Sequence, residues 1–507
     1  MTQLIWTWLL LGNLVAMLPP RNPGGYEGMR GDGVTDDYTA LVHYIHRCQT
    51  AGKAVRLEPR TYFISQPLSL TGSVQFASTQ PGKTATLLFP AGRPDEEAVR
   101  AENPATAHQS RLARSARIGA RTITLTNTGG LVAGMLLTLT SSRIWELGGN
   151  NAGEVHLIRA VQGTSVTLKD TLQDSYDVPA ETVTVSAYRP VAFRLTDVAI
   201  RRQGGGNRNI NLSVWHYVNA EIQRFRIGNG QKAGILLYAC YNTKIHHGAV
   251  SGSNLGGEGY GIVVYGGMYT NIYQVHSRNN RKLADFSAWG SGSGPARYGW
   301  VHQNRVVGSG LDERGQNLFA QGQNMGIGSH GGSEHILIED NTIVDCYVGI
   351  QLRGRHMRVA GNRVQGRCWT PFWSYGGYNH SWENNVYTAG PASRTVAGQA
   401  ASAPTGYPYQ MFYIDPLMAK KGYVQIRGNR SDFSLRYGVV GEGVGNDLTV
   451  IDNSFGFYTQ SRTDTITGIA LLQQRRPIRT VIHRNAYRIR GPGSLATPLQ
   501  IRPARSN

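Results

Sequence analysis

Short runs of alternating apolar and polar residues recur through the central and C-terminal parts of the chain, and many of them end in asparagine. Examples are TKIHHGAVSGSN, HILIEDN and LTVIDN. Alternation with a period of two predicts half-buried β-strands. The asparagines that end such runs are Asn229, Asn254, Asn280, Asn304, Asn341, Asn362, Asn385, Asn429, Asn453 and Asn485. Six of their nine spacings lie between 21 and 26 residues, which indicates a structural repeat.

A repeat of this length with about three short strands per turn predicts a parallel β-helix, which would extend over residues 191–490. A β-propeller would need units of roughly 40 residues with blade motifs that the chain lacks. We expect the asparagines to have a structural role. Asparagine tolerates the left-handed conformation at a corner between strands, and its amide can hydrogen-bond to the asparagine of the next turn.

The N-terminal part follows other patterns. In GDGVTDDYTAL, residues Thr35, Asp36 and Asp37 are possible N-caps of a helix that ends near Gly52. The helix and the strands after it would form an N-terminal cap and first turns over residues 21–104, and the helix would close the end of the solenoid. Hairpin patterns over residues 105–190 predict a small antiparallel β insertion, and residues 491–507 would form a C-terminal tail.

The segment GDGVTDDYTAL followed by GKAVRLEPRTYFI resembles the opening of the pectate-lyase-like superfamily. This superfamily includes polysaccharide lyases, polygalacturonase-type hydrolases, C5-epimerases and phage tailspikes. The resemblance covers about 35 residues and implies an all-β, right-handed parallel β-helix. It does not indicate which reaction, if any, the chain catalyses.

The charge of the chain is strongly positive, with 51 basic and 32 acidic residues, and 43 of the bases are arginine. The planar guanidinium pairs well with carboxylate, sulfate and phosphate, so this bias favours an acidic polysaccharide or a nucleic acid as partner. A high-GC genome would also raise the arginine count. No nucleic-acid-binding motif is present, and the basic residues are spread along the repeats, so we expect no nucleic-acid partner.

Two further features bear on location and chemistry. The apolar run LIWTWLLLGNLVAML within residues 1–20 is too short to span a membrane and predicts either a secretion signal or a buried N-terminal segment. We therefore expect a secreted or periplasmic protein with no membrane insertion of the mature chain. The four cysteines show no zinc-site or thioredoxin-type spacing.

On a β-helix, residues one period apart stack on the same face at about 4.8 Å, so a functional column should recur at the repeat spacing. Residues capable of acid, base or ion-pair chemistry recur 22 to 25 residues apart in the middle turns. They are Tyr260, Lys282, Arg305, His330, Arg353 and Tyr375. This column predicts the position of a catalytic cleft, and coincidence is the alternative explanation.

His330 lies in NMGIGSHGGSEH, where four glycines let the backbone approach a ligand closely. The run resembles the Gly-His-Gly region of polygalacturonase-type hydrolases, and GIQLRG resembles the basic motif that follows it there. The resemblance implies that His330 organises the site and that Arg353 binds a uronate carboxylate. The paired aspartate motifs of those hydrolases are absent, so hydrolysis would have to use Asp285 with Asp312 or Glu313.

β-Elimination needs other groups: a base for the C5 proton of a uronate, cations for its carboxylate and a donor for the leaving oxygen. Lys282 or His330 could be the base, Arg353 or Arg281 the carboxylate clamp, and Tyr260 a proton donor. Epimerisation shares the first step. The further residues predicted to contact substrate are Arg281, His302, Arg305, Arg355, Trp373, Tyr375 and Tyr378.

Aromatic residues that could stack on sugar rings are numerous in the central turns; they include Trp289, Trp300, Trp369, Trp373 and Trp382. No cofactor is expected to be required. Calcium is possible, since Glu334, Glu339, Asp340 and Asp345 are close in sequence, although their alternating directions favour a solvated face. The sequence thus predicts an extracellular enzyme that cleaves an acidic polysaccharide by β-elimination. The alternatives are a glycoside hydrolase of the same fold and a non-catalytic, tailspike-like carbohydrate-binding protein.

Overall fold

In the computed structural model the chain is a parallel β-helix, as predicted. The structure describes residues 28–204, 208–290, 292, 294–308, 322–389, 410–415, 422–435, 437–442, 444–445, 447–458, 462, 465–474, 478–492 and 494–503. The apolar run at residues 4–18 and the residues Asp312 and Glu313 lie outside this set. Among the described residues, no helix is long and apolar enough to cross a membrane.

Three stacks of parallel strands, named faces A, B and C, enclose the core. The strands of face A are Leu68–Thr71, Glu97–Glu102, Ile210–Trp215, Ala233–Tyr238, Tyr260–Tyr265, Lys282–Ser287, Met325–Ser329, Val348–Leu352, Thr370–Tyr375, Gln410–Asp415, Tyr437–Glu442, Thr465–Gln474 and Ser494–Pro503. The last of these pairs with Thr465–Gln474, so most of the predicted C-terminal tail is a further strand of the solenoid.

Faces B and C belong to one bent sheet, whose strands pair in two parallel stacks. The strands of face B are Val55–Leu57, Val74–Ser78, Phe193–Thr196, Glu221–Gln223, Trp300–His302, Leu337–Glu339, Arg355–Ala360, Tyr378–Glu383, Tyr423–Arg427, Asp447–Ile451 and Thr480–His483. Those of face C are Asp32–Asp36, Thr61–Phe63, Ala85–Phe89, Val198–Arg202, Arg226–Gly228, Arg305–Val307, Thr342–Val344, Arg363–Gln365, Val386–Thr388, Arg430–Leu435, Ser454–Tyr458 and Ala486–Arg490. Two longer strands bend at the corner, so that each contributes its first half to face B and its second half to face C; they are Lys244–Ser251 and Asn271–Arg278. Two short strands, Ala296–Arg297 and Ser333–Glu334, lie at the corner of faces A and B.

The core consists of apolar side chains in register between successive turns. On face A, Ile235 pairs with Ile262, and Ile327 pairs with Ile350, all fully buried. Neighbouring positions on a strand point to opposite sides of the sheet, so the residues between these point away from the core. This alternation decides which face A residues are available for chemistry.

An asparagine ladder lines the corner between faces B and C. Each side-chain amide donates to the Oδ1 atom of the next asparagine at 2.9 to 3.0 Å, and the members are Asn304, Asn341, Asn362, Asn385, Asn429, Asn453 and Asn485. The predicted stacking is therefore confirmed for these seven. The left-handed residue at the corner is the one before each asparagine, such as Asp340 with φ 51°, and not the asparagine itself. The ladder satisfies amides that the tight corner removes from water.

Helix α1, Tyr38–Thr50, covers the N-terminal end of the core with Leu41, Tyr44 and Ile45. Asp37 occupies the N-cap position, but its carboxylate accepts hydrogen bonds from the backbone of Arg30 and Gly31 and makes no cap bond. Asp36 accepts from the Tyr38 backbone instead. The two aspartates thus fix the chain before the helix.

The insertion is a six-stranded antiparallel sheet with a core of its own. Its strands are Ala105–Arg111, Thr122–Thr124, Leu136–Ile144, Asn151–Gln162, Ser165–Leu168 and Val183–Tyr188. It packs on the corner between faces A and B, where Leu136 and Val155 meet Tyr241 and Met268. The insertion therefore forms a wall along one edge of face A.

Candidate active site

The outer surface of face A brings together five of the residues that the sequence singled out. Tyr260 pairs with Lys282 in one row. Asp285 lies in the next row, between the core residues Ala284 and Phe286. His330 and Arg353 directly follow the strands Met325–Ser329 and Val348–Leu352. Because adjacent strands are about 4.8 Å apart, these side chains are in reach of one another.

Asp285 is the centre of this cluster. One carboxylate oxygen accepts a hydrogen bond from Lys282 Nζ at 2.7 Å, and the other is 2.5 Å from His330 Nδ1. Lys282 Nζ also donates to Gln351 Oε1 at 3.2 Å. Asp285 and Lys282 are fully buried, whereas the His330 side chain is 30% exposed. The imidazole thus connects a buried ion pair to the solvent.

The charges of the cluster set its proton distribution. Burial alone would raise the pKa of Asp285, but the adjacent His330 and Lys282 outweigh burial and hold this pKa well below its usual range. For His330, the attraction of Asp285 favours the charged form, yet burial, Lys282 and Arg353 together lower the pKa below its ordinary value. Asp285 is therefore ionised and His330 neutral at pH 7.

A neutral His330 next to an ionised carboxylate has one favourable tautomer. Nδ1 carries the proton and donates it to Asp285, so Nε2 keeps a lone pair. This arrangement makes Nε2 a base whose orientation is fixed by the carboxylate. The pair can accept a proton at Nε2 and stabilise the resulting imidazolium through Asp285.

Lys282 is less suited to the role of base. Burial lowers its pKa to about 8, against the opposing effect of Asp285, so the amine stays mostly protonated at pH 7. Its hydrogen bonds to Asp285 and Gln351 hold the ammonium group inside the cluster. Lys282 therefore supplies a fixed positive charge below the groove, which is the strip of the outer surface of face A that lies beside the insertion.

The glycines around His330 are needed because other groups pack against the loop backbone. A Cβ atom at Gly328 would lie 2.8 Å from Lys282 Nζ, and one at Gly332 would lie 2.5 Å from the Ala288 nitrogen. From the insertion, Trp145 Nε1 donates to the Gly331 carbonyl at 3.1 Å. The insertion thus holds the loop that carries His330.

Arg353 supplies a half-buried cation next to His330. Its guanidinium lies 4.7 Å from the centre of the Tyr375 ring. Within the described part of the chain no carboxylate forms an ion pair with it. Arg281 lies on the other side of the cluster, where Nε donates to Gln323 and the guanidinium is 5.9 Å from the Tyr260 ring. Arg353 is the better placed of the two to meet an incoming carboxylate.

Two predicted residues are not part of this site. Arg305 begins a face C strand and cannot belong to a column with Lys282 and His330. His302 lies on face B, where it stacks on Tyr273 and on Trp300. The predicted column was wrong at this turn because Lys282 and Met325, which begin successive face A strands, are almost twice the usual repeat apart.

Arg355 and Tyr378, both predicted to bind substrate, lie in a partly buried network between the insertion and the solenoid. Arg355 donates to Glu334 at 2.7 Å and to Glu146 at 3.0 Å, and the Tyr378 hydroxyl donates to Glu146. Arg297 completes the network and is bonded to Glu334 at 2.9 Å. Arg355 and Tyr378 thus have partners within the chain, and their contact with substrate stays a prediction.

Trp373 and Tyr375 are on the outer side of face A, beyond His330. Trp373 packs in an aromatic cluster with Trp369 and Tyr413, and its ring is partly buried. Tyr375 contacts Arg353 as described above. Tyr375 therefore borders the groove, while Trp373 supports its floor.

Two residues that contribute to the site were not found from sequence. Gln351 is 23 positions after Gly328 and pairs with it, so the repeat could have identified it. Trp145 comes from the insertion and has no sequence signal that links it to His330.

The possible calcium ligands do not form a cation site. Glu334 is bonded to Arg297 and Arg355, and Glu339 is paired with Arg358. Among the residues that the structure describes, no group of three or more His, Cys, Asp or Glu side chains is arranged to hold a metal ion. Glu334 and Glu339 thus have arginine partners.

No family model and no curated protein matches the sequence. Solved structures do match the fold. The tailspike protein gp49 of Pseudomonas phage LKA1 is 18% identical with a TM-score of 0.64, covering 91% of this chain and 77% of its own. The gp54 tailspike of Acinetobacter baumannii bacteriophage AP22, in complex with A. baumannii capsular saccharide, is 12% identical with a TM-score of 0.56, and the match covers 92% of this chain and 74% of the tailspike. The A-module of the mannuronan C-5 epimerase AlgE6 of Azotobacter vinelandii is 13% identical with a TM-score of 0.50, and the match covers 95% of this chain and 98% of the module. These similarities show that the chain has the right-handed parallel β-helix fold.

Proposed function

We propose that this chain is an extracellular enzyme that cleaves an acidic, uronate-containing polysaccharide by β-elimination. The observation that carries the proposal is the Asp285–His330 pair, in which Nδ1 of the imidazole is bound to the carboxylate and Nε2 is left as a base, with Arg353 nearby. A base next to a cation that has no carboxylate partner among the described residues is the combination that the first step of elimination requires.

In the proposed reaction, Arg353 pairs with the carboxylate of the uronate and makes the C5 proton more acidic. His330 Nε2 takes that proton, and Asp285 stabilises the imidazolium. As the C4–O bond breaks and the C4–C5 double bond forms, the leaving oxygen receives a proton from the imidazolium or from water. Atoms and charges balance without any co-reactant. The buried Lys282 ammonium contributes a positive field below the carboxylate.

Hydrolysis has weaker support. It needs two carboxyl groups about 5 to 9.5 Å apart across the scissile bond. Asp285 already binds Lys282 and His330 with its two oxygens. Asp415, on the outer side of face A, lies four strands further along, or about 19 Å. The other proposed partners, Asp312 and Glu313, are outside the described residues.

The structural matches fit this proposal without proving it. One tailspike with this fold is in complex with a capsular saccharide, and the epimerase acts at C5 of mannuronan by its name. Epimerisation begins with the same removal of the C5 proton. The proposal places the chain among extracellular proteins that act on acidic glycans.

The test is to incubate the protein with a panel of uronate-containing and neutral polysaccharides, and to follow the ultraviolet absorbance of the unsaturated product together with reducing ends. Elimination predicts that both signals rise together on an acidic polymer. Reducing ends without absorbance would refute the lyase and favour a hydrolase. Exchange of C5 hydrogen in D2O without cleavage would indicate an epimerase. Binding without any reaction would indicate a carbohydrate-binding protein.

A further inference from the structure

A second feature of the groove is an aromatic platform on the N-terminal side of His330. It consists of Trp215, Tyr238, Tyr265 and Trp289. Trp215 stacks on Tyr238 with ring centres 4.2 Å apart, and Trp289 lies 5.3 to 6.2 Å from the other three rings. Trp289 is 45% exposed, so the platform presents an aromatic surface to solvent.

The platform belongs to the same row of face A as His330. Trp215 pairs with Tyr238, Tyr238 with Tyr265, and Tyr265 with Ser287. His330 occupies the next position, because Phe286 pairs with Ser329. The row therefore continues from the platform to the imidazole, at a distance of two to four strand spacings or about 10 to 19 Å.

The insertion limits the groove on one side along this row. Its Tyr188 stacks on His216, beside Trp215, with ring centres 4.1 Å apart. Thr140 Oγ1 donates to the Gly292 carbonyl at 3.4 Å, close to Trp289. The insertion thus lies beside the row that joins the platform to His330.

The charges at the two ends of the groove differ. At the platform, Arg100 lies over Trp215 but is paired with Glu97 at 3.2 Å and Glu102 at 2.9 Å. Lys232 lies over Trp289 and is paired with Asp95 at 2.8 Å. At the other end, Arg353 faces the groove without a carboxylate partner among the described residues. The platform is therefore close to neutral, and the His330 end is cationic.

From this contrast we infer that the platform binds a neutral pyranose of the same glycan chain whose uronate lies at His330. The C–H face of a neutral pyranose is suited to stacking on an aromatic ring, and a carboxylate would meet Glu97, Glu102 and Asp95 there. The substrate is then a heteropolysaccharide in which uronates are joined to neutral sugars, and not a uronate homopolymer. This inference rests on the proposed function.

The experiment measures binding by calorimetry with the full chain carrying His330→Ala, which keeps the polymers intact. The probes are polygalacturonate and alginate as uronate homopolymers, and gellan and hyaluronan as polymers that join uronates to neutral sugars. We expect tighter binding of a mixed polymer, and about a tenfold loss, equal to about 1.4 kcal/mol, when Trp289→Ala is added. Trp300→Ala is the matched control, since Trp300 is 40% exposed on face B, and it should not change binding.

Two results would contradict the inference that the platform binds a neutral sugar. If Trp289→Ala binds as tightly as Trp300→Ala, or if a homopolymer binds more tightly than both mixed polymers, the inference is wrong. In that case, elimination activity of the unmodified protein on a homopolymer would leave the proposed function intact. If none of the four polymers binds, and none is cleaved by the unmodified protein, both the inference and the proposed function would be contradicted.

Discussion

Two clusters of charge, one partly and one almost fully buried, lie near each other in this molecule, and they differ in whether a polar atom is left for a ligand. In the network below the insertion, Arg297 binds Asp174, Glu334 and the Gly153 carbonyl, and Arg355 binds Glu334 and Glu146. In the cluster on face A, Asp285 binds both Lys282 and His330 Nδ1, and Nε2 of the imidazole is left for a ligand. Buried charge alone therefore does not mark a reactive site.

The two clusters are also connected. The Trp145 ring lies 4.3 Å from the Arg355 guanidinium and 5.3 Å from that of Arg297. Its indole nitrogen donates to the Gly331 carbonyl, next to His330. The paired network thus fixes the insertion, and the insertion fixes the reactive loop. The network around Arg297 and Arg355 holds the His330 loop in place, and the cluster around Asp285 supplies the groups that could react.

The largest expected effect is on turnover. Replacing His330 with alanine removes the base, so we expect elimination to fall about 10²- to 10⁴-fold while the fold is retained. Ultraviolet absorbance of the product and circular dichroism measure the two quantities. His302→Ala, on face B, is the matched control and should keep full activity. Equal activity of the two variants would remove His330 from the mechanism.

In the paired network the main effect should be on stability. Arg297→Leu leaves Asp174 and Glu334 buried without their main counter-charge, which we expect to cost about 3 to 5 kcal/mol. Burial already raises the pKa of Asp174 to about 6, so this carboxylate is the first that should take up a proton in the variant. Urea unfolding followed by fluorescence measures the loss. An unchanged midpoint would show that the network does not anchor the insertion.

Asp285→Asn should separate the positioning of His330 from its basicity. Without the carboxylate the Nδ1–H tautomer is no longer favoured, and we expect kcat to fall about 10²-fold or more. Asp285 favours the imidazolium, so its removal should lower the pKa of His330 further and move the acid limb of kcat to lower pH. A pH–rate profile measures both. An acid limb that moves to higher pH would contradict the assigned charges.

The smallest effect is expected at an exposed ion pair. Arg358 bridges Glu339 and Glu383 at 3.0 Å, but its side chain is 50% exposed. Arg358→Ala should change the free energy of unfolding by less than about 1 kcal/mol and leave turnover unchanged. The same urea titration provides the comparison with Arg297→Leu. A loss as large as that of Arg297→Leu would show that burial does not distinguish the two arginines.

The fold could be predicted because it rests on local and periodic signals. Alternating strands recur along the chain and many end in asparagine, with six of the nine spacings between 21 and 26 residues, and the ladder from Asn304 to Asn485 follows from this recurrence. The pair His330 and Arg353 could be found for the same reason. These predictions needed only the pattern within a turn and the length of a turn.

The sequence could not predict the surroundings of the site where distant segments meet. Arg305 seemed to belong to the column because the turn after Lys282 is unusually long, and its residues fall on face C. Arg355 and Tyr378 seemed available because nothing in the sequence shows that Glu146 of the insertion returns to them. Trp145 was missed for the same reason. Contacts between segments separated by some 200 residues leave no periodic signal.

The central claim is that His330 is neutral at pH 7, with its proton on Nδ1 and a lone pair on Nε2. The most direct measurement is the pair of ¹⁵N chemical shifts of the His330 ring in histidine-labelled protein, assigned with the His330→Ala variant. The structure predicts a protonated, pyrrole-type Nδ1 and an unprotonated, pyridine-type Nε2 at pH 7. An imidazolium, or a proton on Nε2 with Nδ1 free, would contradict the account.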